Sequence, residues 1–430
     1  MKELIKKNGL KYFTYCTLAL LYITAVCFSH PQELASGLRT IILSRDALVT
    51  DYFELVGYGP AFLNAALVMT ISLVMIEYAE LPFTGLTMAA VFINTGFGFW
   101  GKNVVNILPI HLGTILYAKA HNVSMSRYTY TALFATCLAP FVTELTYILP
   151  FGLWKNLAFA ILAGIFIGYI LPPLSQHTAS MHMGYSLFNV GFSGGTLAFV
   201  MFCVLKSLGI SSESVFIWKA ERHPMLITGI YVYLVAAFLL GLYMNEGKLK
   251  NLLKIFKHPG RAVADFVLMD GPGATLMNMS LTATAGLTYA MLIGADFSGP
   301  VLGCLFTVFG FAAFGAHLRN YLPVLLGVYL STFFSQHSPT DAGILIAAFF
   351  VVGISPIAGQ FGPIWGILSG MLHACIVMCT SAMYGGLNLY NNGFSCGWVA
   401  IVMIPTIESF MRSYEVRKQK IKEKKENRKQ

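Results

Sequence analysis

The sequence predicts an all-α polytopic membrane protein made of two inverted-topology repeats, with roughly 10 to 14 transmembrane helices. Three observations carry this expectation. Apolar residues make up 56% of the 430-residue chain and charged residues 11%, too little polar surface to cover a soluble core of this size. The segment GFGFWGKNVVNILPIHLG, from Gly96 to Gly113, returns without a gap as GFAAFGAHLRNYLPVLLG, from Gly310 to Gly327. Matching loops of the two copies also differ in charge.

Apolar stretches long enough to span run from about Tyr12 to Phe28, Pro60 to Ile76, Phe83 to Trp100, Tyr128 to Pro150 and Leu157 to Leu171, with more in the second half. In lipid such segments must satisfy their own backbone polar groups, so each reads as helix. The first has a basic flank but no small-residue cleavage site, and it has a counterpart in Met225 to Met244, so it is expected to be retained.

The duplication extends past its best-matched segment. Asp51 and Tyr52 meet Asp265 and Phe266, Gly59 and Asn64 meet Gly273 and Asn278, and Phe83, Thr84, Gly85 meet Phe297, Ser298, Gly299. Small shifts of register pair Ala139 to Glu144 with Ser355 to Gln360, and LFNVGFSGG from Leu187 with LYNNGFSCG from Leu389. The expected units are therefore a first transmembrane repeat over 1–214, a second over 215–411 and a basic cytoplasmic tail over 412–430.

Lys and Arg in short loops stay cytoplasmic. Lys2, Lys6, Lys7 and Lys11 precede the first span and a basic run follows Arg412, so both termini should be cytoplasmic. The loop after the first span holds Arg39 and Arg45 among Glu33, Asp46, Asp51 and Glu54, whereas its counterpart holds Lys248, Lys250, Lys254, Lys257 and Arg261. Lys119 and Arg127 mark one connection, and the matching stretch from Gln336 to Asp341 has neither residue type. Opposite bias in equivalent loops predicts inversion, which needs an odd number of crossings per half. Seven would satisfy it. So would five plus a re-entrant hairpin, with arms Phe83 to Trp100 and Val104 to Tyr117 joined at Gly101 and the equivalent pair joined at Gly315.

The chemistry is expected where the duplicated segment interrupts apolar structure. Gly96, Gly98 and Gly101 permit close approach and unusual dihedrals, and Pro109 weakens the following helix. Broken helices expose dipolar ends useful for binding solutes near the midplane. Each half offers a cation beside an amide, Lys102 with Asn106 and Arg319 with Asn320. If the break points meet across the pseudo-twofold axis, the paired cations suit an anionic solute such as a carboxylate or phosphate. Asn103 and His317 flank the same breaks and join the candidate substrate-binding set. Packing, helix capping and snorkelling to headgroups are the bland readings of these residues.

Glu144 lies inside an apolar run, where a carboxylate is costly unless paired, protonated or hydrated, and its counterpart is Gln360. That asymmetry suits a proton or sodium coupling site; the structural reading is an ion pair, with Lys155 or Lys102 as partner. The repeated LxNxGFSxG segment adds Asn189, Ser193, Asn391 and Ser395 as neutral hydrogen-bonding groups, for a pocket or a tight helix connection. His111, His317 and His373 lack metal-ligand spacing and read first as buried, hydrogen-bonded residues. The eight cysteines include no CxxC pair, so no metal site or disulfide framework is indicated. No Walker-type loop is present, which argues against an ATP-driven pump. The basic tail is expected to fix topology and touch anionic membrane lipid rather than nucleic acid.

With its GFxxxGxxxxNxLPxxLG-type and NxGFSxG segments, the chain resembles a family of bacterial multi-span membrane proteins catalogued only as a duplicated domain of unknown function. The resemblance covers most of the chain and implies the bacterial cytoplasmic (inner) membrane, but no substrate. His111 departs from Leu325 of the second copy, so the segment is not fully symmetric. Inverted-repeat carriers and urea-type channels are comparable at fold level, by analogy alone. The expected function is a secondary active transporter for a small anionic solute, coupled to protons or sodium, with no cofactor, no enzymatic activity and an undetermined oligomeric state. A passive channel is the alternative. A redox subunit is third, since Asp270 to Thr275 is a shortened, serine-free variant of the flavin-attachment sequence of sodium-pumping redox complexes.

Overall fold

The computed structural model describes residues 2–212 and 214–427; positions 428–430 of the expected tail lie outside the described residues. The first repeat contains α1 (Lys2–Phe28), α2 (Pro31–Leu43), α3 (Tyr52–Val56), α4 (Tyr58–Tyr78), α5 (Gly85–Phe97), α6 (Leu108–Ala120), α7 (Thr129–Ala135), α8 (Ala139–Ile148), α9 (Leu153–Met181) and α10 (Asn189–Ser207). The second repeats this order as α11 (Pro224–Met244), α12 (Lys250–Ile255), α13 (Phe266–Asp270), α14 (Pro272–Leu292), α15 (Gly299–Phe311), α16 (Leu318–Ser331), α17 (Ala342–Phe350), α18 (Ser355–Phe361), α19 (Pro363–Met383) and α20 (Asn391–Asn427). A short parallel pair, β1 (Leu48–Thr50) with β2 (Val215–Ile217), ties the start of the first repeat to the connector that leaves it.

Among the described residues nine helices are long and apolar enough to cross a bilayer, counting α7 with α8 and α17 with α18 as single spans. The tenth crossing is α14, which has the 21-residue length of its counterpart α4. It is less apolar because Thr275, Asn278, Ser280 and Thr282 point into protein rather than lipid.

Contacts at helix ends fix the direction of each crossing. At one face Lys11 and Tyr15 of α1 bind Glu77 near the end of α4, at 2.7 and 3.0 Å, and Gly9 packs on Met244 at the end of α11. At the other face Phe28 of α1 meets His223, which caps the start of α11, with ring centroids 5.9 Å apart. The counterparts α1 and α11 therefore run antiparallel, joined midway by the Thr17 and Tyr233 hydroxyls at 3.0 Å. The two repeats are inverted.

The arms α5 and α6 form a re-entrant hairpin. Helix α5 starts on the N-terminal face, where α4 ends. Helix α6 runs parallel to α9, with Pro109, Gly113 and Tyr117 against Gly164, Gly168 and Tyr169, and so returns to the same face. Thirteen residues rise about 20 Å, short of a hydrocarbon core of about 30 Å. Gly113 is required by contact: a Cβ there would collide with the Ile165 carbonyl, and one at its counterpart Gly327 with that of Ile367. Such small-residue crossings are how helices associate without a hydrophobic drive between them.

The two hairpins lie side by side at the centre, entering from opposite faces. Each is capped by the other repeat. Asp51 Oδ1 accepts from the Gly299 amide that begins α15 at 3.0 Å, and Asp265 Oδ1 accepts from the Gly85 amide that begins α5 at 2.9 Å. Helices α5 and α15 are thus antiparallel and meet backbone to backbone at Gly96 and Gly303. Around them Phe13, Phe92, Tyr233 and Phe309 pack as tilted and stacked rings.

Candidate functional site

The duplicated segment builds the hairpin tips. Gly101 and Gly315 turn the chain with φ of 78° and 92°, a conformation that favours glycine. Asn106 then ties its tip, accepting from Asn103 N at 2.9 Å and donating to Gly101 O at 3.1 Å. Asn320 does the same with His317 N at 2.8 Å and Gly315 O at 3.0 Å. From the neighbouring spans Asn64 donates to the carbonyls of Gly98 and Lys102, and Asn278 to those of Ala312 and Ala316. The Asn103 side chain caps the turn into α6 through Val105 N and Asn106 N, and its buried Nδ2 has no hydrogen-bond partner among the described residues. His317 caps α16 through Nδ1, with Nε2 on the His258 carbonyl at 2.9 Å. Each of these six polar residues is bound to tip backbone.

Lys102 is different. Its side chain is wholly buried, and Nζ donates to Asn94 Oδ1 at 2.9 Å and to the Tyr390 hydroxyl at 2.8 Å. The ammonium also sits 4.8 Å from the Tyr390 ring centroid and 5.2 Å from that of Phe97. Among the described residues all of its partners are neutral. The counterparts of Lys102, Asn94 and Tyr390 are Ala316, Val308 and Phe188, so this polar trio exists once.

The expected pairing of Lys102 with Arg319 does not form. Arg319 is exposed at the start of α16, on the tip that approaches the start of α5, while Lys102 belongs to the tip near the start of α15. The extended residue His317 and a new helix from Leu318 turn Arg319 away from the face that an unbroken helix from Ala316 would give it.

Two cavities flank the centre and are related by the same pseudo-twofold. One, of about 400 Å³, is lined by Ala262, Phe314, Leu187, Phe188, Asn189 and Tyr390. The other, of about 200 Å³, is lined by Leu48, Trp100, Leu389 and Asn391, which are the counterparts of Ala262, Phe314, Leu187 and Asn189. Between them rings close the path. Phe97 packs on Tyr390 and Phe350 with centroids at 4.8 and 5.7 Å, and its counterpart Phe311 packs on Phe188 and Phe134 at 4.6 and 6.2 Å.

The LxNxGFSxG segments start α10 and α20, which cross closely at Gly191 and Gly393. Asn189 is held by Thr178, His182 and the Ser175 carbonyl, and Asn391 accepts from the Tyr384 hydroxyl. Both amides line a cavity. Ser193 and Ser395 point away, to Thr178 and His373, and join helices.

Glu144 is wholly buried and pairs with a residue the sequence reading did not choose. Arg45 reaches both of its carboxylate oxygens, with Nη2 to Oε2 at 2.8 Å, and Ser212 adds a bond at 3.3 Å. Its counterpart Gln360 is exposed. Sequence reasoning also missed Asp46, wholly buried beside it, which accepts from Tyr52 Oη at 3.0 Å and from Asn106 Nδ2 and Thr143 Oγ1 at 3.3 Å. In the connection before β1, outside the spanning helices, its carboxyl is pushed up to about 7, mainly by burial, with Glu144 acting in the same direction. A signal existed, since its counterpart is Gly260.

The chain belongs to a family described as protein of unknown function, DUF1576, which it matches over residues 30–207 and 244–409, one stretch in each repeat. No curated protein and no solved structure matches it.

Proposed function

We propose that this DUF1576 member is a secondary active transporter for a small anionic solute, with Lys102 as the charge that the solute meets. One observation carries the reading: equivalent cavities approach from opposite faces and are separated by an aromatic layer behind which a buried ammonium has, among the described residues, only neutral partners. An ammonium removed from water is costly. An anion about 4 Å away would gain on the order of 4 kcal/mol at an effective dielectric of about 20. Tyr390 lines the larger cavity and holds Nζ, so moving its ring uncovers Lys102 to that side. Rocking one repeat against the other would close this cavity and open its counterpart, the motion inverted repeats support.

Lys11, Lys119, Arg127, Lys248 and Lys250 lie toward the end of the molecule that carries the N-terminus, which supports assigning that face to the cytoplasm. The larger cavity lies beside Met183, at the end of α9 on this face, so the conformation is inward-facing. Proton or sodium gradients supply the drive.

The test is a thermal-shift panel of carboxylates and phosphates on purified protein, followed by uptake of any stabilising anion into proteoliposomes under imposed gradients. Stabilisation that disappears in Lys102→Met, with concentrative uptake, is expected. Flux that only ever runs downhill would make the protein a channel. Equal stabilisation of wild type and Lys102→Met would remove the anion site.

A further inference from the structure

We propose that Asp46 is a proton-carrying site, and, resting on the transporter reading, that it is the group through which protons are coupled to solute movement. Glu144, the acid that stands out in the sequence, is held on both oxygens by Arg45. That pairing ties α8 to the connection after α2 and leaves both of its oxygens engaged. Among the described residues no cation bonds to Asp46. The groups facing it are the Tyr52 hydroxyl from α3, the Asn106 amide from the hairpin tip, and Thr143, Glu144 and Tyr147 from α8, with Arg45 next to it in the chain. Hydrogen bonds from neutral donors support a carboxylate without fixing it, and the nearby negative charge of Glu144 favours the protonated form.

The second repeat supplies an independent control within the same molecule. Arg45, Asp46, Tyr52, Thr143 and Glu144 correspond to Pro259, Gly260, Phe266, Gly359 and Gln360. The scaffold is retained there, for Gly260 abuts the Asn320 amide just as Asp46 meets Asn106, a Cβ on it falling 2.7 Å from Nδ2. The volume the polar groups would occupy is closed by backbone, Gly359 packing directly on Pro259. The hairpin tip is therefore built without the acid, and every polar partner of Asp46 outside that tip was replaced together. A merely structural carboxylate would be needed equally in both copies. All three partners donate to the carboxylate, and the two hydroxyls can turn to accept from the carboxylic acid once it takes up a proton. Arg45, whose side chain is about one-third exposed, links the cluster to the face opposite the N-terminus.

Infrared titration of the purified full chain reads the site without any solute. Beside a component from Asp51 at lower pH, a protonated-carboxyl band that titrates near neutral pH is expected in wild type and in Glu144→Gln, lost in Asp46→Asn with the Asp51 component retained, and displaced in Asp46→Glu. Absence of the band from wild type, or its loss in Glu144→Gln with retention in Asp46→Asn, would overturn the proposal. In proteoliposomes, with inorganic phosphate and a four-carbon dicarboxylate as probes, Asp46→Asn should keep exchange and lose accumulation driven by a pH gradient. Accumulation equal to wild type would overturn the coupling role. A titrating Asp46 in a protein that moves neither probe counts against the transporter reading and leaves the proton site standing.

Discussion

Replacing Asp51 by alanine should loosen the docking of the two repeats while leaving each helix intact. The carboxylate accepts from Phe53 N at 2.9 Å, Gly299 N at 3.0 Å and Lys219 N at 2.9 Å, so one side chain joins α3, the start of α15 and the connector. Hydrogen bonds to a charged acceptor contribute roughly 1.5–3 kcal/mol each, and the buried donors left behind find no replacement. Against this stands the cost of burying the charge, visible in a carboxyl pushed up to about 6 by burial, which returns about 3 kcal/mol when the group is removed. Three such bonds less this cost leave a net loss of about 1.5–6 kcal/mol. Asp51→Asn, which keeps an oxygen for two of the amides, should lose about 1–2 kcal/mol. Reversible unfolding in mixed detergent, followed by tryptophan fluorescence, measures both, with Asp341→Ala, an exposed residue at the start of α17 whose side chain makes no capping bond, as the control expected to stay within about 0.5 kcal/mol. A loss for Asp51→Ala no larger than that of the control would refute the reciprocal capping, as would an undisturbed Asp265→Ala.

Three further outcomes follow from the same contacts. Gly96→Leu drives a side chain into the Gly303 backbone and should cost about 1–3 kcal/mol or more in the same unfolding assay, whereas Gly229→Leu, with open space around it, should be near neutral. Asp46 holds its proton more tightly folded than unfolded, so its stabilisation is complete below pH about 4 and is lost as pH rises through about 7; the decline is on the order of 4 kcal/mol, and thermal unfolding of Asp46→Asn should lack most of it between pH about 4 and about 7. Tyr390→Phe removes one of two acceptors from Lys102 and should lower stability by about 1–3 kcal/mol, while phosphate, if it is a ligand, raises the melting temperature more than in wild type.

The internal repeat made the scaffold legible and concealed the chemistry. Positions identical in both copies, Gly101 with Gly315, Asn64 with Asn278, Asn106 with Asn320 and Asp51 with Asp265, are those that bend, tie and cap the hairpins. Positions that differ, Lys102, Asp46 and Glu144, hold the unusual charges. The hairpin was foreseen as one of two possibilities because tip residues such as Phe99 and Trp100 are apolar and buried in protein, which lengthens each arm's apolar run beyond its helix. Lys102 could be picked from sequence, but its partner Tyr390 lies 288 residues away and enters only through the crossing of α10 and α20. Arg319 does not meet Lys102 because the helix is interrupted between Phe311 and Leu318, where side-chain direction is set by the turn and not by helical period.

Inversion of the two repeats underlies the opposed cavities, and sidedness measures it directly. Ser124 and Ser338 sit exposed in equivalent connections, after α6 and after α16. In a background with the native cysteines replaced, single Ser124→Cys and Ser338→Cys variants are treated with an impermeant thiol reagent in intact cells and in inverted vesicles. Labelling of Cys at 338 only from outside and at 124 only from the cytoplasmic side is expected. Labelling of both from the same side would contradict the inverted architecture and, with it, the pathway built on Lys102.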